Sequence, residues 1–222
     1  MNLCLFDLDH TLIPIDSDHS WGDFMVSLGW ADGSAFKARN DAFYADYLRG
    51  ALDIHAYVAF STGPIQSRAA AERDAAHARY MKEVIEPAIH PAARELVEQH
   101  RRSGDLIAIV TATNDFVTAP IARAFGVDHL IGVRLERGPG DTISGRIDGV
   151  PSYQGGKVIR CSEWLEGLGY RWQDFDRVSV YSDSANDLPL LEQATDAVAT
   201  NPSPALERTA TERGWRILRL FA

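Results

Sequence analysis

The chain has 222 residues, 45% of them hydrophobic and 24% charged, which suits a soluble globular protein of one large domain, or one domain with a small accessory one. Its net charge of −9 and pI near 5.2 argue against nucleic acid and anionic membranes as partners, both being polyanions. A phosphorylated substrate stays open, because a metal ion or one lysine reverses the sign locally.

The chain starts Met1-Asn2-Leu3-Cys4-Leu5-Phe6-Asp7, with no basic region and too short an apolar run for a secretion signal. No stretch approaches the ~18 apolar residues of a membrane span. Cys4 and Cys161 lack the spacing of a metal site, so reduced thiols and a cytoplasmic setting are expected.

The first predicted element is the strand run Leu3 to Phe6, followed directly by Asp7-Leu8-Asp9-His10-Thr11-Leu12. Residues two apart in an extended chain project to one side, so Asp7 and Asp9 converge at its carboxyl end. Two close carboxylates drive their pKa values apart unless a cation separates them. That suits one ionised nucleophile and one protonated acid. A capping or turn pair of aspartates would look the same locally.

From Ile15 to Ala88 the spacing turns helical: Trp21, Phe24, Met25 and Leu28, then Phe43, Tyr44, Tyr47 and Leu48, then a run rich in Ala, Glu, Arg and Met from Ser67 to Glu86. The expectation is a small helical cap domain, 15–88, inserted into a core made of 1–14 and 89–222. Glu86-Pro87 and His90-Pro91 mark the return to the core. The aromatic residues read as the insert's own core, with room for one or two to face a substrate. The seven histidines form no ligand cluster; His10 and His19 stand out only by flanking the first motif.

A helix over Pro91 to Arg102 precedes the strand run Leu106 to Val110, which Thr111 closes with a hydroxyl able to donate to a phosphoryl oxygen. A helical pattern at Phe116 to Phe125 and a hairpin near Leu135 to Val150 follow, with turns at Gly138-Pro139-Gly140-Asp141 and Asp148-Gly149. Gly155-Gly156 permits close backbone approach, and Lys157, before the helical run Val158 to Leu168, can neutralise a phosphate. Alone, a threonine or a lysine at such a place is commonplace. The strand run Val178 to Tyr181 leads into Ser182-Asp183-Ser184-Ala185-Asn186-Asp187-Leu188-Pro189, with Pro189 in a helix's first turn. Carboxylates with open water positions suit Mg²⁺, although an acid-rich helix start looks similar. Ala197 to Ala199 and Ile217 to Phe221 complete the strand runs. Strands alternating with helices predict an α/β fold with a mostly parallel sheet covered on both faces, and a site beyond the strands' carboxyl ends.

The series Asp7-x-Asp9-x-Thr11, then Thr111, then Lys157, then Asp183-x-x-x-Asp187 resembles the haloacid dehalogenase superfamily over nearly the whole chain. The insert after the first motif looks like the cap of its phosphoserine-phosphatase-like branch, on a Rossmann-like core. The resemblance implies a phosphatase in which Asp7 attacks phosphorus and becomes an aspartyl phosphate. Asp9 then protonates the leaving oxygen and activates water. Thr111 and Lys157 would hold the phosphoryl oxygens, joined by Ala112 and Asn186. Asp7, the backbone carbonyl of Asp9, and Asp183 would ligate Mg²⁺, with Asp187 beside them. Ser182 and Ser184 stand where relatives usually have glycine, which predicts an altered hydrogen-bond pattern.

Three other readings stay open. Asp9 argues against a dehalogenase, whose leaving group needs no proton. A phosphotransferase passing the group to an alcohol fits equally. A silent metabolite-binding protein fits the intact carboxylates poorly.

The expected substrate is a small phosphorylated metabolite. By resemblance, Asp16 matches the acidic residue that meets the ammonium of phosphoserine. The segment Ile54 to Thr62 lacks the arginine those enzymes place against the substrate carboxylate, although Arg49 or Arg68 could stand in. The resemblance therefore points to an amino-alcohol phosphate such as histidinol phosphate, with Asp16 and Asp18 around its cation. In the other arrangement Asp18 caps the first insert helix and only Asp16 faces the pocket. Oligomeric state is not legible.

Overall fold

The computed structural model describes residues 1–221. Six parallel strands form the sheet: β1 Asn2–Phe6, β2 Leu106–Asn114, β3 His129–Val133, β6 Arg177–Ser182, β7 Asp196–Thr200 and β8 Arg216–Leu218. Their order is β3-β2-β1-β6-β7-β8. Chain order runs outward from β1 in one direction and from β6 in the other, so the switch point lies between these two strands. The remaining pair, β4 Leu135–Gly138 and β5 Thr142–Ile147, is the antiparallel hairpin expected from the turn residues.

Alternation along β1 explains why both sheet faces are covered. Leu3 and Leu5 join a cluster with Cys161, Leu190 and Leu206, whereas Cys4 and Phe6 join one with Val97, Val117 and Tyr181. The first cluster is supplied by α8 Gly155–Gly167, α9 Leu188–Leu191 and α10 Pro204–Arg213. The second is supplied by α6 Pro91–Arg102 and α7 Asp115–Ala124. Residues two apart thus serve opposite layers of one sandwich.

Between β1 and α6 lie α1 Ser17–Ser27, α2 Gly33–Leu48, α3 Ile54–Gln66, α4 Ala70–Tyr80 and the short α5 Glu86–Ala88, with a π-helical turn over Met81–Ile85. Three of these helices start on an aspartate: Asp16, Asp32 and Asp53 each accept a first-turn backbone N–H. Trp21 packs edge-on to Phe116 of α7 and stacks on His77. The apolar cluster below the sheet is therefore continuous with that of the inserted helices. Among the described residues, no helix is long and apolar enough to cross a membrane.

Three strand expectations need correction. The strand through Thr111 runs on to Asn114, because a register shift after Val110 lets Asn114 pair with Val133. The last strand ends at Leu218 rather than Phe221, where the Leu220 N–H turns to the side chain of Asn201. The strand His129–Val133 was not anticipated, since Gly132 and a partly polar start break its apolar run.

Candidate active site

Asp7 leaves β1 with its N–H donating to the carbonyl of Tyr181 on β6, which places its side chain at the switch point. It is 6% exposed. Lys157, 1% exposed, donates to Asp7 Oδ1 at 2.8 Å and to Asp187 Oδ2 at 2.7 Å. The second of the two glycines before it has a packing reason. A Cβ on Gly156 would lie 2.0 Å from the Pro151 carbonyl, so only glycine lets α8 start close enough to bring Lys157 under Asp7. Burial opposes the lysine's charge, but the carboxylates of Asp187 and Asp7 outweigh it and hold its pKa above the ordinary value.

The second strand end adds Asp183 and Asp187. Ser182 Oγ donates to Asp187 at 2.7 Å and accepts the Ser184 N–H, while Ser184 Oγ accepts that of Asn186. These two serines thus build the altered hydrogen-bond pattern expected in place of glycines. Thr11 donates toward both Asp7 Oδ2 and Asp183 Oδ1, at 3.2 and 3.4 Å. No lysine or arginine bonds the Asp183 carboxylate among the described residues. Burial, then the charges of Asp7 and Asp187, push its pKa up. Two buried carboxylates sharing one hydroxyl are a poor arrangement without a cation. Asp7 and Asp183, bridged by Thr11, offer two carboxylates, to which the Asp9 carbonyl would add a third oxygen. That set fits Mg²⁺, which keeps several waters.

Asp9 is fixed on both oxygens. Ser17 N–H donates to Oδ1 at 2.9 Å and Thr113 Oγ1 to Oδ2 at 2.8 Å. Burial, then the charge of Asp16, raises its pKa well above the carboxylate range, which favours the protonated form a general acid needs. Thr111 is buried, and its oxygen accepts the Thr113 N–H, leaving its own proton to donate.

The site opens into a cleft lined by Asp7, Asp9, Asp16, Asp18, Thr111, Ala112 and Thr113. Phe43, Tyr44, Tyr47 and Tyr57 also line it, with Leu52, Ile54 and His19. Three of the five aromatics assigned to insert packing therefore face the cleft, while Trp21 and Phe24 are buried in the insert. Among the described residues, no arginine or lysine lines it. Arg49 pairs with Asp46, and Arg68 pairs with Glu72 and lies over the Trp30 ring.

The two insert aspartates divide differently from the alternative weighed above. Asp16 is the cap of α1, accepting the His19 N–H at 2.7 Å, and still lines the cleft. Asp18 is 6% exposed and accepts from Asn114 Nδ2 at 3.2 Å. Asn186 is drawn away from the cleft: its amide donates to the Tyr47 carbonyl at 2.9 Å and its oxygen receives Gln154.

Sequence reasoning passed over Thr113, Asn114 and Tyr57. For Thr113 a signal existed, since it lies two residues beyond Thr111 and on the same strand side. Tyr57 carried none, because an aromatic in an amphipathic insert looks like packing.

The model of the haloacid dehalogenase-like hydrolases matches residues 4–192. The chain is 40% identical over 217 residues to a histidinol-phosphatase of Neisseria meningitidis serogroup C (strain 8013), covering 98% of each. A crystal structure of a protein of unknown function from Bordetella pertussis Tohama I superposes with a TM-score of 0.94 at 47% identity, covering 99% of both chains. A substrate-bound phosphoserine phosphatase superposes at 0.68, with 17% identity over 97% of this chain and 91% of that one, which is a likeness of fold.

Proposed function

The chain belongs to the haloacid dehalogenase-like hydrolases, and on that footing we propose that it is an Mg²⁺-dependent phosphatase of a small amino-alcohol phosphate, histidinol phosphate. The observation that carries the substrate is the cleft lining: carboxylates and aromatic rings and, among the described residues, no arginine or lysine to receive a substrate carboxylate. A buried carboxylate without a partner costs several kcal/mol (order of magnitude), so phosphoserine is disfavoured. The histidinol-phosphatase relative supports the same substrate. The insert, 15–88, acts as the cap that brings the aromatic wall over the catalytic aspartates. Buried, unpaired Cys4 and Cys161 suit a cytoplasmic setting.

In this mechanism an Asp7 oxygen bonds to phosphorus as the ester P–O bond breaks, giving an aspartyl phosphate and the alcohol. Asp9 delivers its proton to the leaving oxygen. It then takes a proton from the water that cleaves the acyl phosphate, releasing inorganic phosphate and restoring Asp7. Lys157 and Thr111 hold the phosphoryl oxygens, and Asp187 keeps Lys157 in place. Asp7, Asp183 and the Asp9 carbonyl would hold Mg²⁺, which would supply charge neutralisation at the phosphoryl group. General acid–base help contributes only about 10²–10⁴, against a requirement of up to ~10²¹ for phosphate monoesters. Positioning and electrostatics must supply the rest. A screen of phosphorylated metabolites with Mg²⁺, reading free phosphate, tests the proposal; added acceptor alcohol diverting product from free phosphate would instead favour phosphotransfer.

A further inference from the structure

We infer that Tyr44 is the platform for the substrate's ring, and that His10, the residue after the general acid, is the positioning residue that holds it there. The inference rests on the histidinol phosphate reading above.

Tyr44 is held from two sides. His10 follows Asp9 with a left-handed backbone, φ 56°, which is uncommon for a residue other than glycine. Asn201 Nδ2 donates to its carbonyl at 2.9 Å. Its side chain reaches the insert, where Nε2 is hydrogen-bonded to the Tyr44 hydroxyl of α2 at 3.1 Å. From the insert, His19 of α1 lies against the same phenol ring, with centroids 5.3 Å apart and planes at 51°. His19 is itself fixed: its Nε2 pairs with Asp41 at 2.8 Å, and its carbonyl accepts from Asn40 at 3.1 Å. Tyr44 and His19 both line the cleft.

The other rings of the lining have packing partners of their own. Phe43 packs on Tyr57 and on Phe60, each at 5.3 Å, and Arg39 lies over its face. Tyr47 lies beside Tyr153 at 6.2 Å. Tyr44 alone among the four is tied by its hydroxyl to the first catalytic motif. That tie sets the hydroxyl end of the ring beside the general acid, and the rest of the ring runs from there to α2. Histidinol phosphate carries its imidazole a short alkyl chain from the ester oxygen that Asp9 protonates. Its ring then comes alongside Tyr44. Ring-on-ring contact serves neutral imidazole and a cation–π contact serves imidazolium, so the platform accepts both forms.

The test compares kcat/KM for histidinol phosphate and ethanolamine phosphate, which share the ammonium and phosphoryl group while only the first bears a ring. The Mg²⁺-loaded proteins are wild type, Tyr44→Leu, Tyr44→Phe, His10→Asn and the double variant of the last two. Asparagine tolerates a left-handed backbone but is too short to reach Tyr44. Tyr44→Leu is expected to cut the preference for the ring by about tenfold. Tyr44→Phe and His10→Asn each remove the tether and keep a ring, so each is expected to cut the preference by about threefold, and the double variant by no more than either alone. A general loosening of the fold lowers both substrates together and leaves the ratio unmoved. A wild type with no preference for the ring-bearing substrate would overturn the histidinol phosphate reading itself. A wild type that prefers the ring and keeps that preference in Tyr44→Leu would overturn this inference alone, as would losses in His10→Asn and Tyr44→Phe that simply add. Should Tyr44→Leu not fold, Tyr44→Phe and His10→Asn are read by the same ratio, and an unchanged ratio in both again overturns the inference.

Discussion

The hydroxyl of Thr113 donates to Oδ2 of Asp9 at 2.8 Å, so the residue two beyond the phosphate-binding threonine aims the general acid. Thr113→Val removes that bond while keeping the shape. Misplacing a catalytic group by an ångström costs on the order of 10²-fold, and the loss should depend on how much the leaving group needs a proton. For an alkyl phosphate, kcat/KM is expected to fall roughly 10- to 100-fold. For p-nitrophenyl phosphate, whose leaving group departs as the anion, the fall should stay within about threefold. Equal losses on both substrates would reduce Thr113 to a packing role.

Asp7→Asn should leave the fold intact and remove turnover by at least ~10³-fold, since an amide neither attacks phosphorus nor ligates a metal as a carboxylate does. Phosphate release and circular dichroism on the same sample give the answer. A folded variant with near-normal turnover would contradict a nucleophilic Asp7.

Activity should vanish in chelator, return with Mg²⁺ and fall with excess Ca²⁺. Calcium takes 6–8 ligands and engages carboxylates through both oxygens, masking the attacking atom. A second readout is independent of turnover. The Asp7–Asp183 pair shares one hydroxyl, so Mg²⁺ should raise Tm, and Asp183→Asn should blunt the rise. Full activity in chelator would contradict the metal assignment.

Asp18 gives a pH dependence of stability. Its folded pKa of about 8 lies above the unfolded value near ~3.9, so between these values the native state holds a proton that the unfolded state has lost. Stability from this group is complete below the unfolded pKa and is lost as pH rises through the folded one. Metal-free Asp18→Asn should therefore gain Tm over wild type as pH rises from about 5 to 8. A constant gap between the two melting curves would contradict a protonated Asp18.

The catalytic half of the site was legible because its chemistry is local. Asp7 and Asp9 share a strand end, and Asp183 and Asp187 share a strand-to-helix turn, so spacing alone converges each pair. Their meeting across the sheet follows from β1 and β6 being neighbours at the switch point, a pairing that spacing along the chain does not specify. What hid from sequence depends on tertiary partners. Asn114 joins the strand only through the shifted pairing with Val133 of β3. Asp16 caps α1 and Asp18 lies in its first turn, where it accepts from Asn114, a contact spacing alone does not reveal. Phe43, Tyr44 and Tyr47 sit at helical spacing that suits packing and a cleft wall equally, so periodicity could not separate those from Trp21 and Phe24. Asn186 follows the same rule, its amide drawn off by the Tyr47 carbonyl at the end of α2.

The central claim is an amino-alcohol phosphatase whose cleft has no place for a substrate carboxylate. Its most direct test is kcat/KM for histidinol phosphate against phosphoserine on the wild-type, Mg²⁺-loaded protein. The cleft of Asp16, Asp18 and four aromatic rings, with no arginine or lysine in its lining among the described residues, predicts a preference for histidinol phosphate of at least ~10²-fold, the scale expected when an unpaired carboxylate must be buried. A preference for phosphoserine of tenfold or more would contradict the account.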